Sequence, residues 1–282
     1  MRIGFIGAGL MGHGMALNLL KGGHQVQVIA HRNRAPIDDL LAKGAHEASS
    51  LVEIAQNCVC IVLCLSSSKI VEETVTGLKP GLNNSHIIID TSTSEPNSTR
   101  RLAGELADLG VGFSDAPLTG GPEQAASAEL GVLCGASPEI FASILPLLSC
   151  FATTIRHMGP VGSGHAAKLI SNFLVTGMIT LVAQAFGTAR KANIDWRDLY
   201  EVMLNGSGNS GVLRKMVAPA LEGNFEGYRF SLANASKDIG YFKMLASELG
   251  METALVNAVD AVFSAAIAQG LGKKNVSHLL VL

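Results

Sequence analysis

The chain has 282 residues, 21 Lys and Arg against 23 Asp and Glu, and 48% hydrophobic residues. That length makes room for about two domains and a sizeable core, and the near-neutral charge leaves no electrostatic footprint for nucleic acid or an anionic membrane. Five cysteines, an odd number without CxxC spacing, argue against a disulfide framework or a zinc site and read as small core residues. The opening residues Met1 to Ile6 show no apolar signal region with a cleavage site, so a reducing cytoplasm is the expected location.

Arg2 to Ile6 reads as a short strand. It leads into Gly7-Ala8-Gly9-Leu10-Met11-Gly12 and then an amphipathic helix to Lys21. A GxGxxG between a strand and a helix is the context in which the motif binds a dinucleotide. Gly7 permits the tight turn, Gly9 lets the backbone approach a pyrophosphate, and Gly12 lets helix and strand pack closely. The uncapped N–H groups of the first helical turn would face the anion. The competing reading is a plain tight turn. Gln25 to Ala30 alternates as a second strand. Where an NAD-binding strand usually ends in Asp or Glu, this one ends in His31, followed by Arg32, Asn33 and Arg34.

Pro36 to Lys43 reads as a helix, Ser49-Ser50 as a cap for a helix through Asn57, and Cys58 to Leu65 as a strand covered on both faces. Helix Lys69–Val75, strand His86–Asp90 and a helix from Pro96 to Leu109 follow. Ligands of open parallel sheets sit at the carboxyl ends of strands, so Leu65, Ser66 and Thr93 are candidate cofactor contacts; helix capping is the alternative for the hydroxyls. Gly112 to Asp115 ends another strand and opens into Ala116-Pro117-Leu118-Thr119-Gly120-Gly121. A hydroxyl followed by two glycines can form a backbone nest for a carboxylate, or be only a Gly-Gly turn. A strand at Gly131–Gly135, a helix at Pro138–Leu148 and a last strand at Ala152–Arg156 complete this half.

Gly162 to about Asn193 has no proline and is apolar almost all round, which predicts a helix of roughly 45 Å, buried in an interior or between subunits. Thr176, Gly177, Thr180 and Gln184 interrupt it, so we expect no membrane span. Lys168 and Asn172, four apart, share one face near its start. Lys168 is either a lysine whose stem is buried and whose amine reaches water, or one tuned by burial to pass a proton near neutral pH. Helices follow at Asp195–Met203, capped by Asp195, at Leu213–Leu221, at Asn234–Leu249 and at Thr253–Gln269. The loop Gly206–Gly211 is polar. The apolar end, Val276–Leu282, is expected to pack, with another subunit as a candidate partner.

With these stretches in place, the chain resembles the β-hydroxyacid dehydrogenases along its whole length. The N-terminal Gly4-Phe5-Ile6-Gly7-Ala8-Gly9-Leu10-Met11-Gly12 is similar to the family's dinucleotide signature, and Asp115 to Gly121 to its substrate motif. Gly162-Ser163-Gly164-His165-Ala166-Ala167-Lys168 to Asn172 matches its catalytic motif, and Lys237-Asp238 its Lys-Asp pair. The resemblance implies an α/β Rossmann-type N-terminal domain, residues 1–162, followed by an all-α domain, residues 163–282, that begins with the long joining helix and serves substrate binding and dimerisation. It implies Lys168 as general acid/base, with Asn172 orienting Lys168 or the substrate. Thr119, Gly120 and Gly121 would hold the substrate carboxylate. Cofactor contacts would be Gly7, Gly9, Leu10, Met11, Gly12, His31, Arg32, Asn33, Leu65, Ser66, Thr93 and Lys237. The chain departs from the family at Ala128, at Gly135-Ala136 and at Asn275, which leaves the substrate open.

The expectation is therefore an oxidoreductase that interconverts a small β-hydroxy acid and its semialdehyde or oxo acid, with NADPH as cofactor and no metal, working as a homodimer or homotetramer. NADPH rather than NADH rests on Arg32, and in a lesser degree Arg34, in place of an acidic residue. The rivals are an imine reductase on the same fold, against which Lys168 counts, and a non-catalytic NADPH-binding sensor, which would need neither Lys168 nor Asn172.

Overall fold

The apolar run Cys60–Leu63 is buried on both faces: Cys60 and Val62 join one hydrophobic cluster, Ile61 and Leu63 another. A strand of a parallel sheet sandwiched between two helical layers has this pattern. In the computed structural model, which describes all of residues 1–282, the chain packs as two units, Met1–Lys168 and Leu169–Leu282.

The first unit contains β1 (Arg2–Ile6), α1 (Gly12–Lys21), β2 (Gln25–Val28), α2 (Ala35–Ala42), β3 (His46–Glu47), α3 (Leu51–Asn57), β4 (Cys60–Leu63) and α4 (Ser68–Leu78). It continues with β5 (Ile87–Asp90), α5 (Pro96–Ala107), β6 (Gly112–Asp115), β7 (Leu118–Thr119), α6 (Pro122–Ser127), β8 (Leu130–Gly135), α7 (Pro138–Leu148) and β9 (Ala152–Gly159). Strands β3-β2-β1-β4-β5-β6 lie side by side and parallel. This is the doubly wound Rossmann order, and its reversal between β1 and β4 opens the ligand crevice. Beyond β6 the sheet changes sense: β8 runs antiparallel to β6 and β7, and β9 parallel to β8. Ser50 caps α3 by accepting from the Glu53 N–H, as its sequence position indicates.

The helix α8 (Ser163–Lys191) has 29 residues, and the division between the units falls inside it. By length and composition alone it is apolar enough to cross a membrane, a test that the core helix of a soluble protein also passes. The expectation of no span is not overturned; its ground, an interrupted run, is corrected. Thr176 and Thr180 do not interrupt it, because their hydroxyls donate back to the Asn172 and Thr176 carbonyls at 2.9 Å. Within the chain only one face is buried, which corrects the interior alternative of the expected burial: Ile179 and Phe186 enter the core of the second unit, while Ile170, Leu174 and Leu181 are 55%, 64% and 69% exposed.

The second unit adds α9 (Trp196–Leu204), α10 (Gly211–Leu221), α11 (Leu232–Glu248) and α12 (Ala254–Ala268), then a 3₁₀ turn at Val276–Val281. Asp195 caps α9 through the N–H groups of Arg197 and Asp198. The apolar end packs on its own unit: Val276, Leu279 and Leu280 belong to the same core as Met216, Ile239 and Phe263.

Candidate active site

Because β2, β1, β4, β5 and β6 are parallel, the segments that follow them all leave from one edge of the sheet. Those segments carry His31 to Asn33, Gly7 to Gly12, Leu65 and Ser66, Thr93, and Thr119 to Gly121. Residues dispersed over more than a hundred positions thus hang from a single edge.

The glycine turn after β1 has the shape of a phosphate cradle. Gly7 has φ +104°, and a Cβ there would lie 2.2 Å from the Cys64 carbonyl oxygen; one on Gly12 would lie 2.1 Å from the Gly7 oxygen. A Cβ on Gly9 would meet nothing within 4 Å. Gly7 and Gly12 are therefore needed by the turn itself, whereas Gly9 borders open space. No side chain caps α1, and its first turn holds no acidic residue. The residues fit a dinucleotide: a helix start with no side-chain cap, a partial positive charge and room for an anion.

At the end of β2, His31, Arg32 and Asn33 are exposed. Asn33 Oδ1 accepts from the Ala35 N–H at 3.2 Å and so shapes the entry to α2. Arg34 is engaged elsewhere, with Nη1 and Nη2 donating to Glu47 at 2.7 and 2.8 Å and Nε to Asp38 at 2.8 Å. Ser67, not Ser66, caps α4, its hydroxyl accepting from the Ile70 N–H; Ser66 is exposed. The Leu65 N–H donates to Ser92 Oγ at 2.8 Å, which fixes the loop after β4 against the loop after β5.

The Thr119 turn is built from both sides. β7 pairs Leu118 with Val132 and Thr119 with Gly131. A Cβ on Gly131 would lie 2.2 Å from Thr119 Oγ1, so this glycine leaves the space that the hydroxyl occupies. Gly120 has φ +109°. The nest is narrower than the sequence implies, since the Gly121 N–H donates to Gln124 Oε1 at 2.9 Å. Asn18 on α1 donates to the Ala125 carbonyl at 2.9 Å, tying the segment after the turn to the cofactor helix.

Asp115, where β6 ends, is fully buried. Its Oδ1 accepts from the Gly162 N–H and its Oδ2 from the His165 N–H, both at 2.7 Å. It thereby caps the helix that carries Lys168, which is half-buried in the second turn. Burial raises the Asp115 carboxyl above the usual range, opposed by His165 and the two backbone donors.

In the second unit, Asn172 Nδ2 donates to Asp238 Oδ2 at 2.7 Å. Lys237 Nζ lies 2.9 Å from Asp238 Oδ1 and 4.9 Å from the centre of the Tyr241 ring. Asn172 and Lys237, two separate expectations, thus share one carboxylate. Sequence reasoning passed over Asp115, Gln124, Gly131 and Asp238 as site residues, although Asp115 and Asp238 stand inside the motifs it used.

Known proteins share the fold and the domain order. Residues 2–159 match the model of the NAD binding domain of 6-phosphogluconate dehydrogenase, and residues 162–282 that of the NAD-binding domain of NADP-dependent 3-hydroxyisobutyrate dehydrogenase. The chain is 30% identical to 2-(hydroxymethyl)glutarate dehydrogenase of Eubacterium barkeri, over 99% of this chain and 94% of the relative. Among solved structures, a 3-hydroxyisobutyrate dehydrogenase of Salmonella typhimurium superposes with TM-score 0.87 at 26% identity, covering 100% of this chain and 99% of that one. The fold of the Mycobacterium tuberculosis 3-hydroxyisobutyrate dehydrogenase, seen with L-serine, matches with TM-score 0.89 at 24% identity, over 99% and 98% of the two chains. With family models spanning nearly every residue and a full-length relative at 30% identity, the chain belongs to the β-hydroxyacid dehydrogenase family of NAD(P)-dependent oxidoreductases.

Proposed function

We propose that this protein interconverts a small β-hydroxy acid and its semialdehyde or oxo acid, using NADP(H), with Lys168 as the general acid/base. The observation that carries the reading is the common edge. The open glycine cradle, the Thr119 turn and the first turn of the Lys168 helix all stand at the carboxyl ends of β1 and β6. In this division of labour residues 1–162 bind the cofactor, and residues 163–282 serve substrate binding and dimerisation.

A bound nicotinamide supplies or takes up the hydride at the carbinol carbon. Thr119 Oγ1 and the Gly120 N–H hold the substrate carboxylate, with Gly121 contributing once Gln124 releases its N–H. Fixing the acid group makes the step effectively unimolecular. In reduction the Lys168 ammonium gives a proton to the carbonyl oxygen; in oxidation the neutral amine takes the hydroxyl proton. Asp238 holds Asn172 on the same helix face as Lys168, one turn on. Gly7, Gly9, Leu10, Met11, Gly12, Leu65, Ser66 and Thr93 would line the dinucleotide, and Lys237 is proposed as a further cofactor contact.

The test is a screen at 340 nm of 3-hydroxyisobutyrate, L-serine, D-glycerate and their oxo forms with NADP⁺ or NADPH, beside cyclic imines and simple alcohols. Turnover of acids that Lys168→Ala lowers about 100-fold, with cofactor binding retained, supports the assignment. Preference for imines would favour an imine reductase. Tight NADPH binding with no turnover would favour a sensor.

A further inference from the structure

Lys168 would transfer a proton, yet the two polar side chains that hold its helix are sealed from solvent. Asp115 and His165 are both fully buried. The Asp115 carboxylate takes the N–H groups of Gly162 and His165. The His165 ring fills the space between α5 and the loop after β5: Nε2 donates to the Ser92 carbonyl at 3.1 Å, and Nδ1 meets Thr99 Oγ1 at 2.7 Å. Two carboxylates flank it, Asp90 at 3.8 Å from Nε2 and Asp115 at 3.9 Å from Nδ1. Asp90 is itself held by the Ser92 N–H and the Ser94 hydroxyl, both at 3.0 Å.

The backbone leaves this junction no slack. A Cβ on Gly164 would lie 2.3 Å from the Leu133 carbonyl oxygen and 2.7 Å from that of Asp115. One on Gly135 would lie 2.4 Å from Asp115 Oδ1 and 2.8 Å from the Gly164 nitrogen. The first turn of α8 is therefore seated directly on β6 and β8. Lys168 follows His165 by three residues, so any rotation or slide of that turn carries the amine with it. A shift of about 1 Å at a reacting group can cost on the order of 100-fold in rate.

We propose that Asp115 and His165 are positioning residues for Lys168: neither meets the substrate, and together they set where the amine stands relative to the Thr119 turn. The inference rests on the reading of Lys168 as the acid/base. The Thr119 turn has its own supports, the β7–β8 pairing and the α6–α1 contact. Loosening the helix start should therefore act on kcat and spare KM.

The experiment measures kcat and KM for 3-hydroxyisobutyrate with NADP⁺, NADP⁺ affinity, and amide exchange over residues 162–168, in Asp115→Asn, His165→Leu, His165→Gln, Lys168→Ala and Asp115→Asn/Lys168→Ala. Asp115→Asn keeps one acceptor and loses the other. We expect kcat to fall at least 10-fold, KM and NADP⁺ affinity to stay within about 3-fold, and exchange at Gly162 and His165 to quicken. His165→Leu should lose a similar factor and His165→Gln, which keeps a donor towards Ser92, should recover most of it. In the Lys168→Ala background Asp115→Asn should add little. Wild-type kcat in both Asp115→Asn and His165→Leu, or a full additional loss on top of Lys168→Ala, overturns the proposal. If Asp115→Asn fails to fold, the Leu and Gln pair at position 165 decides by recovery or its absence. Near wild-type turnover in Lys168→Ala alone would instead overturn the acid/base reading.

Discussion

Arg34 is clasped by Glu47 through two parallel bonds of 2.7 and 2.8 Å. The pair joins the segment after β2 to β3, and its guanidinium is committed there. Of the two arginines at the slot where an NAD enzyme usually has a carboxylate, Arg32 is exposed with no ion pair, so under the NADP(H) proposal it is the one that would meet a 2′-phosphate.

Cofactor choice should accordingly depend on Arg32 and little on Arg34. Charge-assisted bonds to a phosphate are worth on the order of 2 kcal/mol, roughly 30-fold. Arg32→Ala should lower kcat/KM for NADPH by about that factor while leaving NADH nearly unchanged; Arg34→Ala should move the ratio less than 3-fold. Steady-state kinetics with both cofactors decide. Equal efficiencies in the wild type, or an unaltered ratio in Arg32→Ala, would falsify the assignment.

Gly131→Ala should damage substrate binding from beneath the site. Its Cβ would stand 2.2 Å from Thr119 Oγ1, so the hydroxyl or the strand must move. KM for the acid should rise about 10-fold, the loss of one hydrogen bond to a charged group, with NADPH affinity intact by fluorescence titration. An unchanged KM would remove Thr119 from carboxylate binding.

The exposed stripe Ile170, Leu174 and Leu181 lies along one side of α8. An exposed apolar stripe of this kind would be covered if two copies of the chain associated through it. Light scattering should give at least twice the chain mass of 29.4 kDa at micromolar concentration. Leu174→Glu/Leu181→Glu should shift the species towards monomer. A monomeric wild type would be incompatible with this use of the stripe.

All five cysteines are free. Burial pushes the thiols of Cys58, Cys64 and Cys134 up to about 11 and that of Cys60 up to about 12, from 9.0. In the unfolded chain the same thiols ionise near 9, so the unfolded state loses protons first as pH rises. Their contribution to stability is complete below about pH 9 and declines as pH climbs towards 11 and beyond. The melting temperature should fall over that window, less steeply in Cys64→Ser, and native protein at pH 8 should resist iodoacetamide at these four positions. Rapid labelling of all four without unfolding would contradict the burial.

Much of this molecule was legible in its residues because the relevant signals are local. GxGxxG after a strand, the continuous apolar run Cys58–Leu65, caps at Ser50 and Asp195, and a proline-free stretch after Gly162 each constrain a few neighbouring dihedrals. The family motifs placed Thr119, Lys168 and Asn172 on their elements. Less legible were the antiparallel turn of the sheet after β6 and the short α6, since two-residue strands and six-residue helices leave almost no periodicity.

The sequence by itself determined the sheet of parallel strands, the glycine cradle, the long helix with its lysine, and the family. Only the tertiary structure decided which side chains are free to act. Arg34 turned out to be bound by Glu47, Gly121 by Gln124, and Asn172 by Asp238; the apolar chain end, expected to pack with another subunit as a candidate partner, packs on its own core. Each outcome depends on a hydrogen bond or packing contact whose partner is not predictable from local pattern. Gln124 is only three residues from Gly121, but Glu47 lies 13 residues from Arg34 and Asp238 lies 66 from Asn172. Hydropathy and spacing report which way a residue faces; they do not report which distant group arrives to satisfy it.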